Sequence, residues 1–198
     1  KVYKVYSNFK GVSMRQLNPT LWRTCRMLTG RTRLRLLRFL LENPNSTVTQ
    51  LAAMAEIGIS DASQELRRIQ SRGILQVERK GPYVFYRPAP DPQVPSAAPL
   101  LTALKTAMKY RPACQDAAII SMAAALAYPR RIAIAQTLLN GPVSSSELIR
   151  ILHTSPQILN RHLRIMTAGR FLHRHGQRVE LLTPPHPVGQ ALIRLLRP

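Results

Sequence analysis

Acidic residues are what this sequence most lacks. Nine Asp and Glu stand against 29 Lys and Arg in 198 residues, a formal charge of +20. So few carboxylates leave little material for acid–base catalysis, and the clustered Asp and Glu that hold catalytic Mg²⁺ in nucleases are missing. Cys25 and Cys114 are the only cysteines, which excludes a disulfide framework and points to a reducing interior. Long apolar runs are absent: the longest, "AAIISMAAALAY" at 117–128, is too short to span a bilayer. No N-terminal stretch has the charged-then-apolar order of a signal peptide, and Met14 precedes the first helical pattern, so residues 1–13 read as a leader, an extension or a cloning remnant. There is no Gly-rich phosphate loop and no Ser-His-Asp order with a supporting fold. The expectation is a cytoplasmic protein without membrane attachment, not an enzyme, needing neither cofactor nor metal.

What is present is positive charge and enough apolar residue, 45%, to bury a core. A soluble chain this basic repels itself unless a polyanion neutralises it. Nucleic acid is the default partner, and an anionic membrane surface is the competitor.

The sequence is also written twice. "RTRLRLLRFLLE" (31–42) lies over "PRRIAIAQTLLN" (129–140), pairing Arg33 with Arg131 and Leu40 with Leu138 at an offset of 98. Past the next loop the offset is 97, one residue being deleted where chain length is cheap to change: Leu66 meets Leu163, Arg67 meets Arg164, and Leu75 meets Leu172. The charge divides evenly, 16 basic and 6 acidic residues through position 92 against 13 and 3 after it. Between the halves, "RPAPDPQVPSAAP" (87–99) carries five prolines and predicts an extended linker. The expected division is 14–87, a Pro-rich linker at 88–98, and 99–198 opening with a helix at 99–110.

Each half reads alike. An apolar helix comes first, with Leu34, Leu37 and Leu41, or Ile132, Ala135 and Leu139, on one face. Thr47 with Gln50, and Ser144 with Glu147, then have capping-box spacing. The short helix after each cap ends near Ala55 or Leu152. After a turn comes a longer helix, the second one capped by Ser155 with Pro156 at its first position. Ala62, Leu66, Ile69 and Gly73 face inward on the first of these, and Leu159, Leu163 and Met166 on the second. Hairpins follow, turning at Arg79-Lys80-Gly81-Pro82 and at Gly176-Gln177. The expected fold is mainly α with small β-hairpins (α+β), as two tandem winged helix-turn-helix domains.

"LWRTCRMLTGRTRLRLLRFLLENP" and "AALAYPRRIAIAQTLLNGP" resemble the opening of ArsR-type winged-helix transcriptional regulators, and "NRHLRIMTAGRFL" resembles that family's recognition helix. "SQELRRIQSRGIL" keeps Ser63, Leu66 and Gly73 but has Gln64-Glu65 in place of Arg-His. The resemblance covers most of 19–87 and 112–183. It implies DNA binding, usually by a homodimer with one such domain per subunit and an interface built from terminal helices. Leu192, Leu195 and Leu196 offer a stripe for that interface, one that ordinary core would also produce. Two departures matter. This chain carries two copies, so it can supply both reading heads as a pseudo-dimer. Its "TVTQLAAMA" and "SSSELIRIL" helices also lack the family's metal-sensing cysteine pair.

The outward faces supply the candidate DNA contacts: Ser60, Ser63, Gln64, Arg67 and Arg68 on the first helix, and Gln157, Asn160, Arg161 and Arg164 on the second. Arg presents two parallel N–H groups to guanine N7 and O6, and Gln reads adenine by the same bidentate logic. Arg79, Lys80, His173, Arg174, His175 and Arg178 on the hairpins are placed to neutralise phosphates or to enter a minor groove. His173 and His175 share a strand face but lack the third ligand a metal site needs. His162 is expected to pack beside the recognition helix or to touch the DNA backbone, and Cys25 to lie in the core. The function read from these residues is a transcriptional regulator of duplex DNA, associated with the nucleoid. Its rivals are a chromosome-associated or scaffold protein that binds other proteins, and an RNA-binding protein, hinted at only by Tyr83, Phe85 and Tyr86.

Overall fold

A computed structural model of the chain describes residues 21–197. Residues 1–20 and Pro198 lie outside the described residues, and with them the reading of 1–13 and the start of the first domain at Met14.

The first half runs α1 (Leu21–Leu28), α2 (Arg31–Glu42), β1 (Ser46–Thr47), α3 (Val48–Met54), α4 (Ile59–Gln70), β2 (Leu75–Lys80) and β3 (Tyr83–Pro88). The second runs α6 (Asp116–Leu126), α7 (Pro129–Thr137), a 3₁₀ turn, β4 (Val143–Ser144), α8 (Ser145–Leu152), α9 (Pro156–Ala168), β5 (Leu172–His175) and β6 (Arg178–Leu181). α5 (Ala97–Tyr110) follows the first hairpin, and α10 (Pro187–Leu196) follows the second. The architecture is mainly helical with two three-stranded antiparallel sheets, ordered β1-β3-β2 and β4-β6-β5. In each, the strand before the short helix pairs with the returning arm of the hairpin: Ser46 faces Tyr86, and Val143 faces Val179.

Local chemistry sets the boundaries. Thr47 and Gln50 form the full capping box. Ser144 caps Glu147 N–H, but the Glu147 carboxylate lies 3.6 Å from Arg150 and closes no box, a difference from the sequence reading. Ser155 caps Ile158 N–H, with Pro156 opening α9.

The repeat extends to backbone conformations that side-chain identity does not betray. Glu56 and His153, 97 residues apart, both turn left-handed (φ 50° and 44°) where the short helix gives way to the long one. Gly73 and Arg170 do the same after the long helix (φ 72° and 61°), and Gly81 and Gly176 at the hairpin tips (φ 59° and 57°).

The proline-rich stretch departs from expectation. Pro88 still pairs with Leu75, and α5 begins at Ala97. The residues between form turns folded back on the first half, where Asp91 N–H donates to Gly73 O at 2.7 Å and the Gln76 side chain to Pro90 O at 3.1 Å. A side chain at Gly73 would meet Val94 and Asp91, so its glycine serves this close approach as well as the left-handed turn.

One continuous apolar core joins the halves. The pairing is between equivalents: α1 packs on α6, and α5 on α10. The run at 117–128 is thus a core helix, α6, whose Ile119, Met122, Ala123, Ala125 and Leu126 are buried. On α10, Val188, Leu192, Ile193 and Leu196 are buried, so much of the stripe considered for a dimer interface is already covered within the chain; Leu195 stays partly exposed. Each such side chain withdrawn from water contributes about 1.5–3 kcal/mol before ordering entropy is set against it.

A polar clamp crosses the same seam. The Arg38 guanidinium on α2 grips both oxygens of Asp116 at the start of α6 (2.9 and 2.6 Å) and donates to Met108 O and Arg111 O at the end of α5. Its repeat equivalent, Gln136, reaches Leu196 O at the end of α10. Among the described residues no single helix is long and apolar enough to cross a membrane.

Candidate nucleic-acid interface

Two helices present the candidate residues, and the same physics aims both. Ala62, Leu66 and Ile69 on α4, and Leu159, Leu163 and Met166 on α9, are buried, which turns the opposite faces to solvent. Ser60, Gln64, Arg67 and Arg68, and Gln157, Asn160, Arg161 and Arg164, are exposed; Ser63 is partly covered. All the residues expected on the outward faces except Ser63 are therefore open to solvent, and Ser63 turns toward the first hairpin. Among the described residues, the guanidinium groups of Arg67, Arg161 and Arg164 have no ion-pair or hydrogen-bond partner, whereas that of Arg68 pairs with Glu65.

Glu65 explains why α4 carries less free charge than α9. Its carboxylate, largely buried, holds Arg33 of α2 at 2.6 Å as well as Arg68. In the second half, the equivalents of Arg33 and Glu65 are Arg131 and His162. His162 stacks on Tyr128 at 5.4 Å, and the Arg131 guanidinium lies 5.5 Å from the same ring. Burial, then the charges of Arg131, Arg130 and Arg161, push the His162 imidazole below its usual value. His162 is thus part of α9 itself, on the side of that helix turned toward Tyr128.

The hairpins flank these helices. Arg79 and Lys80 are exposed at the first tip; Lys80 lies 3.2 Å from Glu78 and 5.9 Å from the centre of the Phe85 ring. Arg174 and Arg178 are exposed on the second. His173 and His175 share a face, with ring centres 4.6 Å apart. Among the described residues no group of three or more His, Cys, Asp or Glu is placed to hold a metal ion. On β3 the alternation resolves as Tyr86 in the core, with Tyr83 exposed and in ring contact with Phe85.

A cavity of about 400 Å³ opens between α4 and the first hairpin, lined by Val48, Ser63, Arg67, Gln70, Val77, Arg79, Val84 and Tyr86. Burial raises the Tyr86 hydroxyl, against the pull of Arg67 and Arg79, which bracket the cavity. Sequence reasoning missed this groove because its walls come from four separate elements. It also missed the first-turn residues Ile59 (56% exposed) and Ile158 (45%), whose exposure no periodic pattern signals. Cys25 is fully buried, its thiol pushed up to about 12, while Cys114 is exposed.

Chemically, the surface is an array of unpaired guanidinium, amide and hydroxyl donors on two convex helices, flanked by cationic hairpins. No protein-family model, curated protein or solved structure gives a significant match to this chain.

Proposed function

We propose that the chain is a DNA-binding transcriptional regulator made of two tandem winged helix-turn-helix heads, resembling ArsR-type regulators without their metal sensing. The observation that carries this reading is the repeated face: Arg67 and Arg164, 97 residues apart, stand exposed and unpaired on helices whose inner faces are buried. A helix of that shape fits the major groove, and guanidinium groups on it match guanine. The hairpins take the place of wings, with Arg79, Arg174 and Arg178 directed at phosphates. Because α5 and α10 cover each other, the working unit is one chain acting as a pseudo-dimer, and its place is at the nucleoid.

Selection of bound fragments from random duplex DNA, using the full chain, tests this. Enrichment of a defined duplex supports it. Equal retention of all duplexes, or no retention, removes the sequence-reading role. A second reading has its own observation: exposed Tyr83 and Lys80 flank the half-buried Phe85 ring, an aromatic and basic patch that suits stacking by single-stranded RNA. Competition of selected duplex against single-stranded RNA separates the two.

A further inference from the structure

The two heads share a backbone but not a reading surface. α4 starts after Gly58 and α9 after Ser155, so the 97-residue offset holds through both helices. Arg67 and Arg164 are the common element. Around them the chemistry changes. Gln64 stands where α9 has Arg161, Asp61 where it has Ile158, and Ser60 where it has Gln157; all six are exposed. Bidentate Gln suits adenine N6 and N7, whereas bidentate Arg suits guanine O6 and N7. A carboxylate accepts from the cytosine amino group, whereas an aliphatic side chain packs on a thymine methyl.

Charge differs in the same direction. α4 carries Asp61 and Glu65 beside Arg67 and Arg68, while α9 carries Arg161 and Arg164 and no acid. Val77 is one of the residues walling the first groove, and the offset places Arg174 at its position in the second wing. The heads are nevertheless related as a dimer's would be, because α1 meets its counterpart α6, and α5 meets α10. Contacts between like elements are the mark of a two-fold, isologous arrangement rather than head-to-tail stacking.

We propose that the target of this chain is a non-palindromic duplex. It has two half-sites in inverted arrangement that share one guanine but differ beside it. The second head reads the guanine-richer half and makes most of the phosphate contact. This inference rests on the DNA-reading function above and adds the class of site it takes. A homodimer must present identical helices and so favours a palindrome. Fusing the heads into one chain lifts that requirement, and the exposed positions have used the freedom.

The test starts from the duplex selected by the full chain and rebuilds it as two perfect palindromes, each repeating one of its half-sites. Wild type should bind the mixed duplex best, the palindrome of the second head's half-site next, and the other palindrome least, with steps of about tenfold. Gln64→Arg should move the first half-site from adenine to guanine and raise affinity for the second head's palindrome by about tenfold; Arg161→Gln should produce the opposite change. Both positions are exposed, and a thermal melt matching wild type confirms that each variant is folded. Selection of a perfect palindrome, of a single half-site, or equal binding to all three duplexes would overturn the non-palindromic target while leaving DNA reading intact. Absence of any preferred duplex would overturn both.

Discussion

Replacing Asp116 by Ala should cost this chain roughly 2–3 kcal/mol. The Arg38–Asp116 pair joins α2 to α6 across the seam between the halves, with side chains only 11% and 15% exposed. Breaking a fully buried pair costs about 3–5 kcal/mol, because the surviving charge is left without compensation. Exposed pairs contribute about 0.2–1 kcal/mol. This pair lies nearer the buried limit and is bidentate, but Arg38 retains Met108 O and Arg111 O when the carboxylate is gone, which offsets part of the loss. Asp116 also sits in the first turn of α6, where the helix dipole favours a negative charge. For a chain of this size, about 2–4 °C per kcal/mol predicts a fall in Tm of roughly 4–12 °C. The assay is calorimetric melting of wild type, Asp116→Ala and a control, Glu147→Ala, at low and high salt. The control removes a pair that is 49% and 76% exposed and should move Tm little. The loss at Asp116 should persist in high salt, which screens surface pairs far more than buried ones. A melt for Asp116→Ala within 1 °C of wild type, or a deficit that high salt abolishes, would refute the clamp as a determinant of how the halves join.

Arg67→Ala and Arg164→Ala should each weaken binding to the selected duplex by about 1–3 kcal/mol and relax base preference locally, with melting unchanged; wild-type discrimination in both would remove these helices as readers. Arg174→Ala should weaken all duplexes alike and lower the salt slope by about one ion. Lys80→Ala should do less, because Glu78 already holds that ammonium, and a larger effect at Lys80 than at Arg174 would contradict this ordering. The His162 imidazole is held below its ordinary 6.5, so below that pH the unfolded chain binds a proton that the folded chain refuses. Stability therefore falls as pH drops below about 6.5, and His162→Gln should flatten the decline; an unchanged slope in chemical denaturation would count against it. A thiol reagent should label Cys114 in the native protein and Cys25 only on unfolding, as peptide mass mapping would show.

Much of each half was legible because its determinants are local. Thr47 with Gln50, Ser155 with Pro156, and the glycines at the hairpin tips act within a few residues of themselves. The outward faces were legible for a related reason: once Leu66 or Leu163 is assigned to the core, geometry sends Arg67 or Arg164 the other way. What joins the halves was not. Arg38 and Asp116 are 78 residues apart, and nothing in either neighbourhood selects the other. The stripe on α10 announces a buried face without saying what covers it. Glu147 has capping-box spacing, yet in the structure its carboxylate lies toward Arg150. Arg170 takes a left-handed turn that the repeat puts at Gly73, and an arginine does not advertise that conformation. The prolines after β3 signalled a break in regular structure, but their folding back depends on Gly73 and Gln76, which lie on the other side of the hairpin.

The seam accounts for the asymmetry of the surface. In a homodimer every substitution appears twice, so a change that suits one half-site is imposed on the other, and the interface forms only at sufficient concentration. Here α1 against α6 and α5 against α10 meet within one chain, and the linker makes their encounter independent of concentration. Equivalent positions are then free to diverge, and the core shows that they have. Arg38 grips a carboxylate and two carbonyls, while Gln136 makes a single contact at 3.5 Å. Arg33 holds Glu65, while its equivalent Arg131 lies beside His162 and Tyr128. The seam keeps a two-fold frame although its contacts are no longer two-fold in chemistry. Divergence tolerated inside the frame, where packing is most restrictive, is easier still on α4 and α9, whose outer faces are in solvent. On the proposed DNA-reading function, the differences between Gln64 and Arg161, and between Asp61 and Ile158, are ones that covalent joining of the halves permits.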